Sequence, residues 1–289
     1  MQAQELLQQG QVDECLEKLQ EEIRKNPSDA KSRVFLFQLL SVMGQWERAI
    51  TQLNVAAELD PINMPMAQMC RGALNSEALR ADIFAGKRSP VIFGEPDEWV
   101  SWMIQANQLL ADGHHSQSQE LRDKALEAAP AVSGKIDGHA FEWIADADPR
   151  MGPILEAVIN GRYYWVPMAR VHEIKIDKPS DLRDLVWIPS QIKWTNGGES
   201  IALIPVRYPG SHASEDDQIR LARKTDWVDQ GGDISLGLGQ RLLATDEADY
   251  ALLDTRHILF DNEVEGDGDE AVDRSEDEAS SSDQESADG

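Results

Sequence analysis

Catalysis in this chain would need a nucleophile, a base and a carboxylate gathered from residues distant in sequence, and Asp184, His172 and His257 are the candidates. His114 and His115 are adjacent, and neighbours on a helix point about 100° apart, so they make a poor metal pair. The run Asp261, Glu263, Glu265, Gly266, Asp267 and Asp269 imitates a calcium loop, but Val272 stands where that loop needs a bidentate Glu. No Gly-x-Gly-x-x-Gly, phosphate loop or Gly-x-Ser-x-Gly is present, which removes the usual nucleotide and hydrolase sites. Cys15 and Cys70 fall in predicted helices and suit reduced core thiols better than a disulfide. These residues point to a chain without catalytic, cofactor or metal sites.

The elements that would position any site begin with an internal echo. Gly10, Val12, Cys15 and Pro27 recur 34 positions later as Gly44, Trp46, Ala49 and Pro61, the period of a tetratricopeptide-type helical hairpin. Each Gly closes one helix, the apolar residue two places on opens the next, and the Pro follows its end. A weaker third copy, Gly113, His115, Ser118, Ala125 and Pro130, lies 69 positions after the second. Residues 63–85 read as helix without the signature, and 86–96 as a loop. Trp46, Trp99 and Trp102 read as core filling. Stacked hairpins form a groove that accepts a peptide or helix, and Lys31, Arg33 and Gln38, on the first helix of a hairpin, are the expected groove positions.

Past Pro130 the apolar period changes to two, in 139–145, 163–167, 174–176 and 192–194, so a boundary falls near residues 131–138. Asn196-Gly197-Gly198 predicts a hairpin between antiparallel strands. Asp148-Pro149 reads as the cap of a helix with the stripe Ile154, Leu155, Val158 and Ile159, stopped by Gly161; shorter helices are expected around 181–185 and 215–224. The predicted fold is α+β. A tetratricopeptide-like all-α repeat spans 1–130, a mainly antiparallel α+β domain 131–260, and an acidic tail 261–289.

The formal charge is −25, and the tail holds 13 acidic side chains against one basic residue, Arg274. It has too little apolar content to order itself and reads as disordered. An acidic body argues against nucleic acid, whose affinity comes from Lys and Arg displacing counterions. The start of the chain lacks the pattern of a signal peptide, and no apolar run is long enough to span a membrane, so a soluble cytoplasmic protein is expected.

Trp165-Val166-Pro167, Ile174-x-Ile176 and Pro179-x-x-Leu182-Arg183-Asp184-Leu185-x-Trp187-x-Pro189 occur in that order. Pro205-x-x-Tyr208-Pro209-Gly210, Thr225-Asp226-Trp227, Gly239-Gln240-Arg241 and Leu252-Leu253-Asp254-x-Arg256 follow. The ordered set, with the helical first half, resembles the ImpE family, also called SciE or TagJ, of type VI secretion accessory proteins. Trp165, Pro167, Arg183, Asp184, Trp187, Pro189, Tyr208, Pro209, Gly210, Trp227 and Arg241 are its motif positions, and their residue types suit strand ends, turns and ion pairs. Arg183 and Asp184, adjacent on a helix, are each expected to pair elsewhere. The resemblance implies a non-catalytic adaptor that binds the N-terminal helix of the small sheath subunit TssB and influences sheath disassembly by the ATPase ClpV. The repeat alone would equally suit a scaffold for another cytoplasmic assembly.

Overall fold

The computed structural model describes residues 2–231, 234–262 and 264. The acidic tail and its calcium-like spacing lie outside the described residues, apart from Asp261, Asn262 and Val264. Among the described residues seven α-helices come first: α1 (Gln2–Gln8), α2 (Val12–Lys25), α3 (Ala30–Val42), α4 (Trp46–Leu59), α5 (Met64–Phe84), α6 (Glu98–Ala111) and α7 (His115–Ala128). In α2 the stripe Val12, Cys15, Leu19 and Ile23 is buried while the acidic residues between face water. Asp29 caps α3 by accepting the Ser32 N–H at 3.2 Å.

The echoing glycines do what their spacing predicts. Gly10, Gly44 and Gly113 have φ of 79°, 67° and 81°. In each the Gly N–H and the next N–H fold back on the preceding turn, as in Gly44 to Ser41 at 3.2 Å and Gln45 to Leu40 at 2.9 Å. Gly86, outside the repeat pattern, ends α5 the same way, with φ of 71°.

Thirteen strands and a one-turn α-helix, α8 (Asp217–Arg220), follow among the described residues. Eight strands form one antiparallel sheet: β1 (Gly134–Ile136), β2 (His139–Phe141), β4 (Ile154–Ile159), β5 (Arg162–Pro167), β6 (Val171–Ile176), β7 (Trp187–Trp194), β8 (Glu199–Pro205) and β13 (His257–Phe260). The order is β2-β1-β13-β6-β7-β8-β4-β5. β3 (Ile144–Asp146), β11 (Leu242–Thr245) and β12 (Asp249–Ala251) make a second sheet, and β9 (Thr225–Asp229) pairs with β10 (Ser235–Gly239). Asn196-Gly197-Gly198 joins β7 to β8, as expected. Val91 and Phe93, in the 86–96 loop, exchange backbone hydrogen bonds of 2.9 Å with Trp165 and so cover the β5 edge.

The helix expected over 154–159 is a strand, buried at every position. Ile154, Glu156 and Val158 face the helical array, while Leu155, Ala157 and Ile159 face a second core. An apolar run with both faces covered loses the alternation that marks a strand. Asn160 and Gly161, with φ of 51° and 76°, form the tight turn into β5 rather than a helix stop.

One face of the sheet and the helices share a single core, in which Phe37, Leu39, Leu74 and Trp99 meet Val158, Trp165, Trp187 and Leu203. On the other face Leu155, Val166 and Ile188 cluster with Ile136, Phe141 and Phe260 from the far end of the sheet, so the sheet curls on itself. Cys15 and Cys70 are free and buried. Burial, aided by Glu22, pushes the Cys15 thiol up to about 12, and burial carries Cys70 up to about 11 against the pull of Arg183. Both are therefore expected to resist iodoacetamide at mildly alkaline pH in the native protein and to alkylate rapidly in denaturant, as read by mass spectrometry.

Candidate partner-binding surfaces

Among the described residues a cluster of charged side chains is buried between helices and sheet. Arg80 of α5 reaches Glu156 of β4 with Nε at 2.6 Å and Nη2 at 3.0 Å, and Nη2 also donates to the Arg207 carbonyl at 2.8 Å. Arg241 bridges Glu156 and Asp146, and the Tyr163 hydroxyl donates to Glu156. Trp165 Nε1 donates to that hydroxyl at 2.9 Å, and Trp187 Nε1 to Glu77 at 2.8 Å. Arg207 caps α3 instead of pairing with an acid, donating to Val42 O at 2.8 Å and Ser41 O at 3.3 Å. Burial opposes ionisation of Glu156, but Arg80 and Arg241 outweigh it and hold the carboxyl at about 2. Glu156 and Arg241 have no exposed surface, so this network clamps the helices to the sheet and offers nothing to a ligand.

Asp184, His172 and His257 do not converge. Asp184 accepts the Ser180 and Asp181 N–H groups, each at 2.9 Å, in a capping box of the turn Leu182–Leu185. His172 Nδ1 lies 2.8 Å from Asn262 O, and His257 Nε2 lies 2.8 Å from Glu173. Arg183 departs from expectation: in this 3-10 turn its Nε lies 3.4 Å from neighbouring Asp184, and Nη2 lies 3.0 Å from Asp181. Among the described residues no group of three His, Cys, Asp or Glu side chains could hold a metal.

The other motif positions build turns and contacts. Pro167 ends β5 and Pro189 lies within β7. Tyr208 Oη accepts the Leu242 N–H at 2.9 Å, and Gly210, with φ of 87° beside Pro209, enters the turn Ser211–Ala213. Trp227 is 40% exposed and rests 5.8 Å from the Tyr208 ring.

The groove expected on the repeat is filled from within. Leu182 and Leu185 pack on the helical core, and Trp187 meets Trp46 of α4 at 5.9 Å. Gln38, expected in the open, is buried because this segment covers the face of α3 that carries it. Arg33 is half-buried and ties α3 to α4 through Gln52 at 2.8 Å, and only Lys31 stands in solvent. Repeat periodicity identifies which face is buried but not what buries it.

Apolar surfaces remain outside the core, and two of them form grooves. Where α5 stops covering the sheet, Pro65 and Met69 face Val158, Ile201 and Leu203 across a groove of about 350 Å³. Ile201 there is 67% exposed, and Ile62, just before α5, and Met64, its first residue, are 80% and 44% exposed. The second groove lies between α7 and β3. Neither is legible in the sequence, since exposed Ile, Met, Leu and Trp look like core residues until the packing is known.

A helical-hairpin array clamped by buried ion pairs to a curled antiparallel sheet, with apolar surfaces left facing water, defines a two-part α+β protein. A model of the ImpE protein family matches residues 138–259. The type VI secretion system accessory component TagJ of Pseudomonas aeruginosa is 49% identical over 259 residues, covering 90% of this chain and 91% of that protein. The crystal structure of protein VPA1032 from Vibrio parahaemolyticus superposes with a TM-score of 0.81 at 27% identity, over 90% of this chain and 97% of that one. The chain belongs to the ImpE family of type VI secretion accessory proteins, as its ordered Trp and Pro motifs implied.

Proposed function

We propose that the protein is a non-catalytic, cytoplasmic adaptor of the type VI secretion system. In this reading it captures the N-terminal helix of the small sheath subunit TssB and so influences ClpV-dependent disassembly of the contracted sheath. The observation that carries the adaptor role is the 49% identity, across nearly the whole chain, to the accessory component TagJ. The capture site fits the groove beside Ile201 better than the repeat face, because the latter is occupied by Leu182 and Leu185. Met69, which lines that groove, suits an amphipathic helix, since its flexible side chain repacks around a partner's apolar stripe. Among the described residues no helix is long and apolar enough to cross a membrane, which suits a soluble partner.

A pull-down with full-length TssB tests both parts. Wild type and Lys31→Ala are expected to retain the sheath subunit, and Ile201→Asp to weaken retention about tenfold or more. Equal retention by Ile201→Asp would move the site elsewhere, and no retention by wild type would remove the adaptor reading.

A further inference from the structure

The groove between the end of α7 and the edge of β3 has a volume of about 420 Å³ and is lined by Ala129, Ile144, Gly152 and Ala244. Leu126 and Trp143, each 41% exposed, are large apolar side chains in its walls. Among the described residues β3 is paired on one side only, by β11. Ala147 donates to Leu242 at 3.0 Å and Ala145 lies opposite Ala244, so alternation along the strand turns the backbone groups of Ile144 and Asp146 away from β11. The outward N–H of Asp146 is taken by Gly152 O at 2.8 Å, which leaves the Ile144 end of the strand as the place where another strand could add.

Charge selects the occupant. The Asp246 carboxylate accepts the Glu142 N–H at 2.7 Å, which sets two exposed acids beside Trp143, and Glu127 follows Leu126 on α7. The nearby cations are diverted: Lys124 lies 3.5 Å over the Trp102 ring, Arg150 is paired with Asp148, and Arg122 is buried. A second copy would bring like charge to the same rim of a chain carrying −25. A docked helix would cover the backbone of Ile144 without satisfying it.

We infer that this groove takes an extended segment of a partner protein, added as a strand to β3, with apolar side chains alternating with Lys or Arg. Alternate side chains of such a strand point to opposite sides, so one set enters the groove while the cations meet Glu142 and Asp246. The site is separate from the groove beside Ile201 and does not depend on the adaptor reading.

The probe is a short capped peptide of alternating Val and Lys, titrated calorimetrically into the full chain, beside a Val–Glu peptide and a Ser–Lys peptide of equal charge. The Val–Lys peptide is expected to bind about tenfold tighter than either, and to lose about tenfold in affinity to Trp143→Ser and severalfold to a Glu142→Gln/Asp246→Asn variant. Ile201→Ser is expected to bind as wild type does. Should Trp143→Ser fail to melt cooperatively, Leu126→Ser reads the same wall. Equal binding of the Ser–Lys peptide, unchanged affinity in the wall variants, or no binding of the Val–Lys peptide would overturn the inference. So would concentration-dependent dimerisation that the wall variants abolish, since the occupant would then be a second copy.

Discussion

Glu156→Gln is expected to lower folding stability by about 3–5 kcal/mol, because it withdraws one carboxylate from two buried guanidinium groups and leaves them undercompensated. Arg80 and Arg241 both pair with Glu156, and all three side chains are buried. For a chain of this size the melting temperature should fall by roughly 10 °C, since each kcal/mol is worth about 2–4 °C. The same residue sets an acid limb. Its folded carboxyl titrates at about 2 against an ordinary 4.5, so its contribution is complete above 4.5 and is lost as pH falls toward 2. Asp146 runs in the opposite sense: burial pushes it up to about 6 despite Arg241, so its contribution is present below its ordinary 3.8 and lost as pH rises through 6. Melting curves across pH 2 to 5 should therefore be flatter for Glu156→Gln than for wild type, and Asp146→Asn should remove the change around pH 6.

The second large effect is expected at Trp187, which is 1% exposed and joins the sheet to α4 and α5. Trp187→Ala should cost about 3–5 kcal/mol, the lost burial and the cavity together, with a further penalty from Glu77, which loses its indole donor. Trp187→Phe keeps most of the packing and removes the donor, so it should cost less. Urea midpoints followed by circular dichroism give both values. Amide exchange in α3 should rise in Trp187→Ala, because the segment that covers that helix is anchored through this ring.

The helical half is legible because its signals are local. Gly10, Gly44 and Gly113 need positive φ at fixed offsets from an apolar stripe, and the chain displays this without reference to anything distant. Residues 154–159 mislead because an apolar run buried on two faces has no period of two, and the turn that would arbitrate, Asn160-Gly161, also suits the end of a helix. The ion network leaves fainter traces. Arg80 and Glu156 are 76 positions apart, and only Glu156, a lone acid inside an apolar run, hints that a buried partner is required. Gln38 and Arg33 look available on the repeat face, but a face is free only if nothing else in the chain covers it, and Leu182 to Trp187 covers this one. The ordered family motifs identified the second half because their order along the chain is displayed without reference to which residues meet in space, and several of them lie at turns, strand ends or ion pairs.

Calorimetric titration of the N-terminal segment of TssB into the full chain reads the proposed capture of a sheath helix without intermediaries. Saturable one-to-one binding is expected, with a dissociation constant of about 1–100 μM and a negative heat-capacity change from apolar burial. Absence of heat and of any chemical-shift change at high micromolar peptide would contradict it.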